Sequence, residues 1–367
     1  MEESVSNHIK ASALLSKIIK AADSMGASDI HLRSGNVIKV RVDGVIVDMT
    51  GAPIMQSNQL LPLMKGILIP TKFQEFMDNN QVDVAFKADD GPRVRINMFR
   101  QLGKTAVVMR IISEEILTIE QLGLPTELSE ISNFRRGLVV FAGATGSGKS
   151  TSMAAILNEI NKNRAEHILT IEDPIEYEFK EDKCIVSQRE VGADVPDFKY
   201  AIKAALREDP DVILMGEMRD HESIEFALEL AETGHLVFST LHAPTAVESI
   251  SRMVSSFPPE GQSAMRNKLA NNLQVIVAQR LVKRTEKGRS AACEVMIANE
   301  LVSEMIMDSD KTHEIEELLK GEEDAIQGML HFDDHLLRLV EDDVISAEVA
   351  LENASSRTDL ELKLQGF

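Results

Sequence analysis

The sequence predicts an α/β protein: a compact α+β unit, then a parallel sheet with helical crossovers, then a helical C-terminal region. Three observations carry that prediction. Up to about residue 112, short strand-like runs are interleaved with amphipathic helical stretches. From Arg136 onward, continuous apolar runs of strand length alternate with helix-length segments, as in strands buried on both faces. Between the apolar run Leu138-Val139-Val140-Phe141 and the helix-like run from Thr151 to Asn161 lies a glycine-rich octamer, Gly143-Ala144-Thr145-Gly146-Ser147-Gly148-Lys149-Ser150.

Taken in order, residues 9 to 25 place Ile9, Leu14, Leu15, Ile18, Ile19, Ala22 and Met25 at helical spacing. Two strand-like runs, 37–42 and 45–47, flank Asp43-Gly44, a strong signal for a tight hairpin turn. Amphipathic runs follow at about 57–69 and 71–79, separated by Pro70. Strands are expected at 82–86, 93–99 and 105–112, with Asp89-Asp90-Gly91 turning between the first two. The first domain is therefore set at residues 1–112, and 113–133, with Gly123 and Pro125, is expected to be a linker. A core domain over 134–290 contains candidate strands 138–142, 167–171, 211–215 and 235–240. Residues 291–367 are expected to be helical and strongly acidic, punctuated by Glu322-Glu323-Asp324, Asp333-Asp334 and Glu341-Asp342-Asp343.

Composition narrows the function. The formal net charge is -20, from 59 acidic and 39 basic residues. Such a surface repels polyanions and anionic lipid, against a nucleic-acid or membrane-surface role. Aromatic residues are 4% with no tryptophan, so stacking platforms for single strands are poorly supplied. Cys184 and Cys293 form no C-x-x-C pair, so reduced core thiols are expected rather than a zinc site or disulfides. Met1-Glu2-Glu3-Ser4 lacks a secretory pattern, and no apolar run reaches membrane-spanning length, so a cytoplasmic protein without membrane insertion is expected. Methionines such as Met153, Met253 and Met265 fall in helix-like runs and read as core packing. The amphipathic C-terminal stripe around Met329, Leu330, Leu336, Leu337, Leu339 and Val340 suits either intrachain packing or docking.

The octamer reads G-x-x-x-x-G-K-S in a strand–loop–helix context, the phosphate-binding P-loop pattern. Glycines allow the backbone to wrap a polyphosphate, and the amides and helix N-terminus face the phosphates. Lys149 supplies a point charge to the outer phosphates, and Ser150, followed by Thr151, places a hydroxyl for Mg²⁺. Asp211-Val212-Ile213-Leu214-Met215-Gly216-Glu217 is an apolar strand ending in an acid, which places Glu217 for a role at the metal. Ile171-Glu172-Asp173-Pro174-Ile175-Glu176 sets three carboxylates at another strand end, suited to orienting an attacking water, although such a run alone also suits a solvated loop. His235 and His242 bracket the strand Leu236 to Leu241, either as structural histidines or as phosphate contacts. Arg93, Arg95, Arg100 and Arg110 in the first domain are either surface residues or cations delivered to a neighbouring subunit's site.

Together, G-A-T-G-S-G-K-S, I-E-D-P-I-E, V-I-L-M-G-E-M-R-D and E-T-G-H-L-V-F-S-T-L-H resemble the bacterial secretion ATPases, and within them the type IV pilus retraction ATPases of the PilT/PilU family. Ala27-Ser28-Asp29-Ile30-His31, Arg41-Val42-Asp43-Gly44 and Ser187-Gln188-Arg189-Glu190-Val191-Gly192 extend the likeness over nearly the whole chain. The resemblance implies a PAS-like N-terminal domain and a RecA-like ATPase domain that uses ATP and Mg²⁺. It implies Lys149 and Ser150 as Walker A, Glu217 as Walker B, Glu176 as the catalytic carboxylate, and His235 and His242 as a histidine pair. Arg95 and Arg110 would reach a neighbouring site in a hexameric ring. The four-cysteine zinc element of extension ATPases is absent from the sequence. The segment Ala298-Asn299-Glu300-Leu301-Val302-Ser303-Glu304-Met305-Ile306 lacks the arginine of the retraction motif, and His313-Glu314-Ile315, Phe332-Asp333 and the run from Asn353 to Lys363 are similar to the PilU branch. That branch implies an accessory motor acting with a PilT-type ATPase and the inner-membrane platform protein, on the cytoplasmic side. The alternatives are an autonomous PilT-type motor, a nucleic-acid translocase, and a non-hydrolysing structural partner.

Overall fold

The computed structural model describes residues 2–42, 44–49, 51, 54–56, 58–87, 91–112, 115–321 and 328–366, with side chains from residue 11 onward. The chain forms two compact units, Met1–Glu115 and Ile116–Phe367.

The first unit runs α1 (Glu2–Ser24), β1 (Ala27–Arg33), β2 (Lys39–Val42), β3 (Val45–Asp48), α2 (Leu60–Ile67), α3 (Pro70–Asn79), β4 (Gln81–Lys87), β5 (Arg93–Gln101) and β6 (Lys104–Ile111). The strands form one antiparallel sheet in the order β3-β2-β1-β6-β5-β4. Strand alternation turns Ile30, Leu32, Val40, Ile96, Met98 and Met109 inward onto Leu15 and Ile19 of α1, Leu60 and Met64 of α2, and Phe76 of α3. The same alternation turns Asp29, Arg110 and Arg95 to the opposite face, where the register sets Arg110 between the other two. Of the expected turn residues, Asp43, Asp89 and Asp90 lie outside the described residues.

The second unit begins with 116–133, the segment expected as a linker. Its Ile119 and Leu124, with Leu128 and Ile131 from the 3₁₀ turn Thr126–Asn133, are buried in the unit's core. Then come β7 (Gly137–Ala142), α4 (Lys149–Asn163), β8 (His167–Glu172), β9 (Ile185–Glu190), α5 (Phe198–Ala205), β10 (Val212–Glu217), α6 (His221–Glu232) and β11 (Leu236–Leu241). These are followed by α7 (Ala246–Ser255), α8 (Pro259–Asn272), β12 (Leu273–Lys283) and β13 (Arg289–Ile297). The sheet order is β13-β12-β7-β11-β10-β8-β9, all parallel except β13. Central β7 is buried throughout; Val139 and Phe141 face α4, while Leu138, Val140 and Ala142 join the core on the other face. Residues buried on both sides explain the unbroken apolar runs of the sequence.

The sequence predicts helix beyond residue 290, but β13 is a strand antiparallel to β12, from Val275↔Ile297 to Lys283↔Arg289. Its run Ala291 to Met296, apolar but for the buried Glu294, is buried on both faces and so shows no strand alternation to read. Helices resume with α9 (Glu300–Met307), α10 (Glu314–Leu319), α11 (Phe332–Glu341), α12 (Ala347–Asn353) and α13 (Arg357–Leu364). Phe332, Leu336, Leu339, Ala350 and Leu360 are buried in one core with Ile276 and Met296, so this apolar stripe serves intrachain packing. The acidic run Glu322-Glu323-Asp324 lies outside the described residues. Among the described residues no helix is long and apolar enough to cross a membrane.

Candidate active site

A parallel sheet gathers the C-terminal ends of its strands at one edge, and loops leaving that edge build a site. The octamer leaves β7 there and runs into α4. Gly143 has φ +145°, and a Cβ on it would lie 2.5 Å from the Gln279 carbonyl oxygen and 2.6 Å from Ser147 Oγ. Only glycine permits that conformation and that approach. Gly148, at φ +89°, caps α4 so that Lys149 is its first residue. Ala144, Thr145 and Gly146 form the exposed rim, while Ser147 and Lys149 are buried and Gly148, Ser150 and Thr151 are half-buried.

The buried Lys149 ammonium donates to the carbonyls of Gly143 at 2.8 Å and Ala144 at 3.0 Å. Burial pushes its pKa down, and the nearby Glu217 and Glu176 carboxylates oppose that shift. The Ser147 hydroxyl is buried with no hydrogen-bond partner. A glycine-shaped cradle, an orphaned hydroxyl and a lysine folded back onto the loop's own carbonyls fit a polyphosphate that would draw both side chains outward.

Glu217 ends β10, where the pairing with β11 shifts register between Met215 and Glu217. Its Oε1 lies 2.9 Å from His242 Nε2, and its Oε2 accepts from Arg219 Nε at 2.9 Å. His242 Nδ1 sits 3.2 Å from the Gly143 carbonyl. Both ring nitrogens face oxygen atoms. His242 thus bridges the strand-end acid and the first residue of the loop. Among the described residues no cluster of three His, Cys, Asp or Glu side chains forms a ready-made metal cage. Ser150 and Glu217 are the oxygen-bearing residues that could hold Mg²⁺, with phosphate oxygens and water completing its shell.

The last residue of β8 is Glu172, and the segment after it supplies Glu176. Glu172 is buried, with Oε2 accepting the Glu176 amide at 3.4 Å and Oε1 left without a partner. Burial raises its pKa to about 7. Glu176 itself is exposed. Next to it, the Tyr177 hydroxyl lies 2.8 Å from Thr151 Oγ1, tying this segment to the first turn of α4.

Not every expected residue joins the group. His235 precedes β11, so it sits at the N-terminal edge of the sheet, roughly 20 Å from His242 at about 3.3 Å per strand residue. Its Nδ1 lies 2.9 Å from the Leu230 carbonyl and 3.1 Å from Thr233 Oγ1, and it secures the end of α6. His235 therefore lies at the opposite edge of the sheet from this protomer's P-loop, against the end of α6. Arg95 and Arg110 belong to the first unit, as direct cross-strand neighbours on β5 and β6. Arg110 donates to Asp29 at 3.1 Å, while Arg95 is 3.9 Å from Asp83; both arginines are exposed. Tyr177 and Gln279 lie outside every stretch that the sequence marks, whereas Glu172 is one of the three carboxylates of I-E-D-P-I-E and Arg219 lies within V-I-L-M-G-E-M-R-D without a role of its own.

The comparisons agree with this geometry. The family model described as type II/IV secretion system protein matches residues 4–353. The type IV pilus retractation ATPase PilT of Pseudomonas aeruginosa is 39% identical over 340 residues, 93% of this chain and 98% of the relative. The type IV pilus ATPase PilU of the same organism is 37% identical over 350 residues, 95% of this chain and 91% of the relative. A crystal structure of the pilus retraction motor PilT with bound ADP superposes with a TM-score of 0.87 at 40% identity, covering 95% of this chain and 98% of that one. The Legionella pneumophila ATPase DotB superposes with a TM-score of 0.81 at 26% identity, covering 97% and 96%. A P-loop, a strand-end glutamate and a bridging histidine at one edge of the sheet, with these likenesses along the whole chain, lead to one conclusion: the chain belongs to the type II/IV secretion system protein family and is an ATPase.

Proposed function

We propose that this chain is a hexamer-forming motor that couples ATP hydrolysis to type IV pilus retraction, as a PilU-type accessory to a PilT-type ATPase at the inner-membrane platform protein. The observation that carries the hydrolytic part is the convergence of Lys149, Glu217 and His242 on the loop after β7. In this reading the loop amides and the start of α4 hold the ATP phosphates, and Lys149 leaves the Gly143 and Ala144 carbonyls to pair with them. Mg²⁺ held by Ser150 and Glu217 would neutralise developing charge on the phosphates. Glu176 orients the attacking water and accepts its proton. Arg95 and Arg110 complete a neighbouring protomer's site.

The retraction role rests on the likeness to PilT and PilU. The accessory role rests on α9, whose exposed positions include Glu300, Leu301, Glu304 and Met307 with no arginine. The similar identities to PilT and PilU keep an autonomous PilT-type motor as the second reading. Retained Lys149, Glu176 and Glu217 weigh against a non-hydrolysing partner, and the net charge of -20 weighs against a nucleic-acid translocase. Deleting the gene in its host, with and without a PilT-type gene, tests the assignment. Excess surface pili with lost twitching supports retraction. Normal pilus number and normal motility in both backgrounds overturns it. Full rescue of retraction by this chain without a PilT-type gene replaces the accessory reading with the autonomous one.

A further inference from the structure

Gln279 of β12 is 2% exposed and lies against the P-loop from below. Its Nε2 donates to the Ser147 carbonyl at 2.8 Å, and its Oε1 accepts from Ser152 Oγ at 2.9 Å. The two ends of one amide therefore hold the last bend of the loop and the first turn of α4 in a fixed relation. The loop backbone presses on the same residue: a Cβ on Gly143 would meet its carbonyl oxygen at 2.5 Å, and one on Gly148 would meet its Nε2 at 2.7 Å. Its neighbour Arg280 donates to the Asn353 carbonyl at 2.8 Å and stacks its guanidinium 4.1 Å from the Phe332 ring centroid. β12 is thus held from both sides and can serve as a rigid support.

We infer that Gln279 is a positioning residue for nucleotide binding, which holds the P-loop in its phosphate-accepting shape without touching the phosphates. The inference rests on the reading of Gly143–Ser150 as the ATP site. Both hydrogen bonds are buried, so losing them leaves the Ser147 carbonyl and the Ser152 hydroxyl without these partners. The bond geometry is set before nucleotide arrives, so its loss falls on binding more than on the chemical step.

The test uses the full chain as Gln279→Met, which keeps length and removes both polar ends, and Ser152→Ala, which removes one bond with little change of volume. ADP affinity is measured by calorimetry and ATP turnover at saturation, with Lys149→Ala as the control. Gln279→Met is expected to weaken ADP binding and raise KM roughly tenfold, equivalent to about 1.4 kcal/mol, with kcat within about threefold of the parent. Ser152→Ala is expected to weaken binding about threefold. If Gln279→Met fails to fold, Ser152→Ala decides alone. Unchanged ADP affinity in the folded variants, while Lys149→Ala abolishes binding, overturns the role of Gln279. Unchanged affinity in Lys149→Ala overturns the P-loop reading itself. A fall in kcat with unchanged KM also overturns the positioning role.

Discussion

Replacing Glu172 by glutamine should alter the pH dependence of stability in a direction set by its burial. The Glu172 carboxyl titrates at about 7 in the fold against an ordinary value of 4.5. Below pH 4.5 it is protonated in both folded and unfolded chains and contributes no difference. Between 4.5 and 7 the unfolded chain releases the proton while the folded chain keeps it, so stability falls as pH rises. Above 7 the deficit levels off at about 3 kcal/mol, from about 1.4 kcal/mol per pH unit of separation. Glutamine is neutral throughout and keeps an oxygen for the Glu176 amide, so it lacks the deficit. Any fixed effect of its extra amide hydrogens shifts the whole curve and leaves its slope. Glu294, also raised to about 7 by burial, contributes equally to both proteins and cancels. For a unit of this size, thermal unfolding should show Glu172→Gln gaining roughly 6–12 °C on the parent between pH 4.5 and 8.5. Parallel pH profiles would refute the reasoning, because they would mean that the Glu172 carboxyl titrates alike in both states.

Other perturbations separate the parts of the site. Gly143→Ala forces a methyl to 2.5 Å from a backbone oxygen, so it should abolish ADP binding in calorimetry. Gly146→Ala meets no atom within 4 Å and strains only the backbone at φ +79°, so it should weaken binding by about tenfold or less. Arg95→Ala should lower steady-state turnover at least tenfold while ADP affinity per protomer stays within about threefold, as expected for a cation delivered in trans; equal loss of both would place Arg95 outside that role.

Much of the site was legible because its chemistry needs particular residues at particular strand ends. The P-loop glycines and Lys149, and the acid closing an apolar strand at Glu217, are sequence-local patterns. The strands expected at 138–142, 167–171, 211–215 and 235–240 correspond to β7, β8, β10 and β11, each within a residue or two. Strand polarity was the signal left unused for the histidines. Only residues following a parallel strand reach the site edge, which selects His242 over His235. Asp211, which immediately precedes β10, likewise serves the far edge, where it accepts the His167 amide at 2.9 Å. Gln279 carries no local pattern, since an amide within an apolar run looks like any strand residue until its partner, 132 positions earlier, is known. β13 was missed because burial on both faces removes the alternation that marks a strand.

Whether the loop after β7 and the acids beside it hydrolyse ATP is decided by steady-state phosphate release from the purified full chain, compared with its Glu217→Gln variant. Mg²⁺-dependent turnover is expected in the parent, with a loss of at least about a hundredfold in the variant, which replaces the carboxylate facing His242 by a neutral amide. Turnover in the parent no higher than in Glu217→Gln would contradict hydrolysis by these groups.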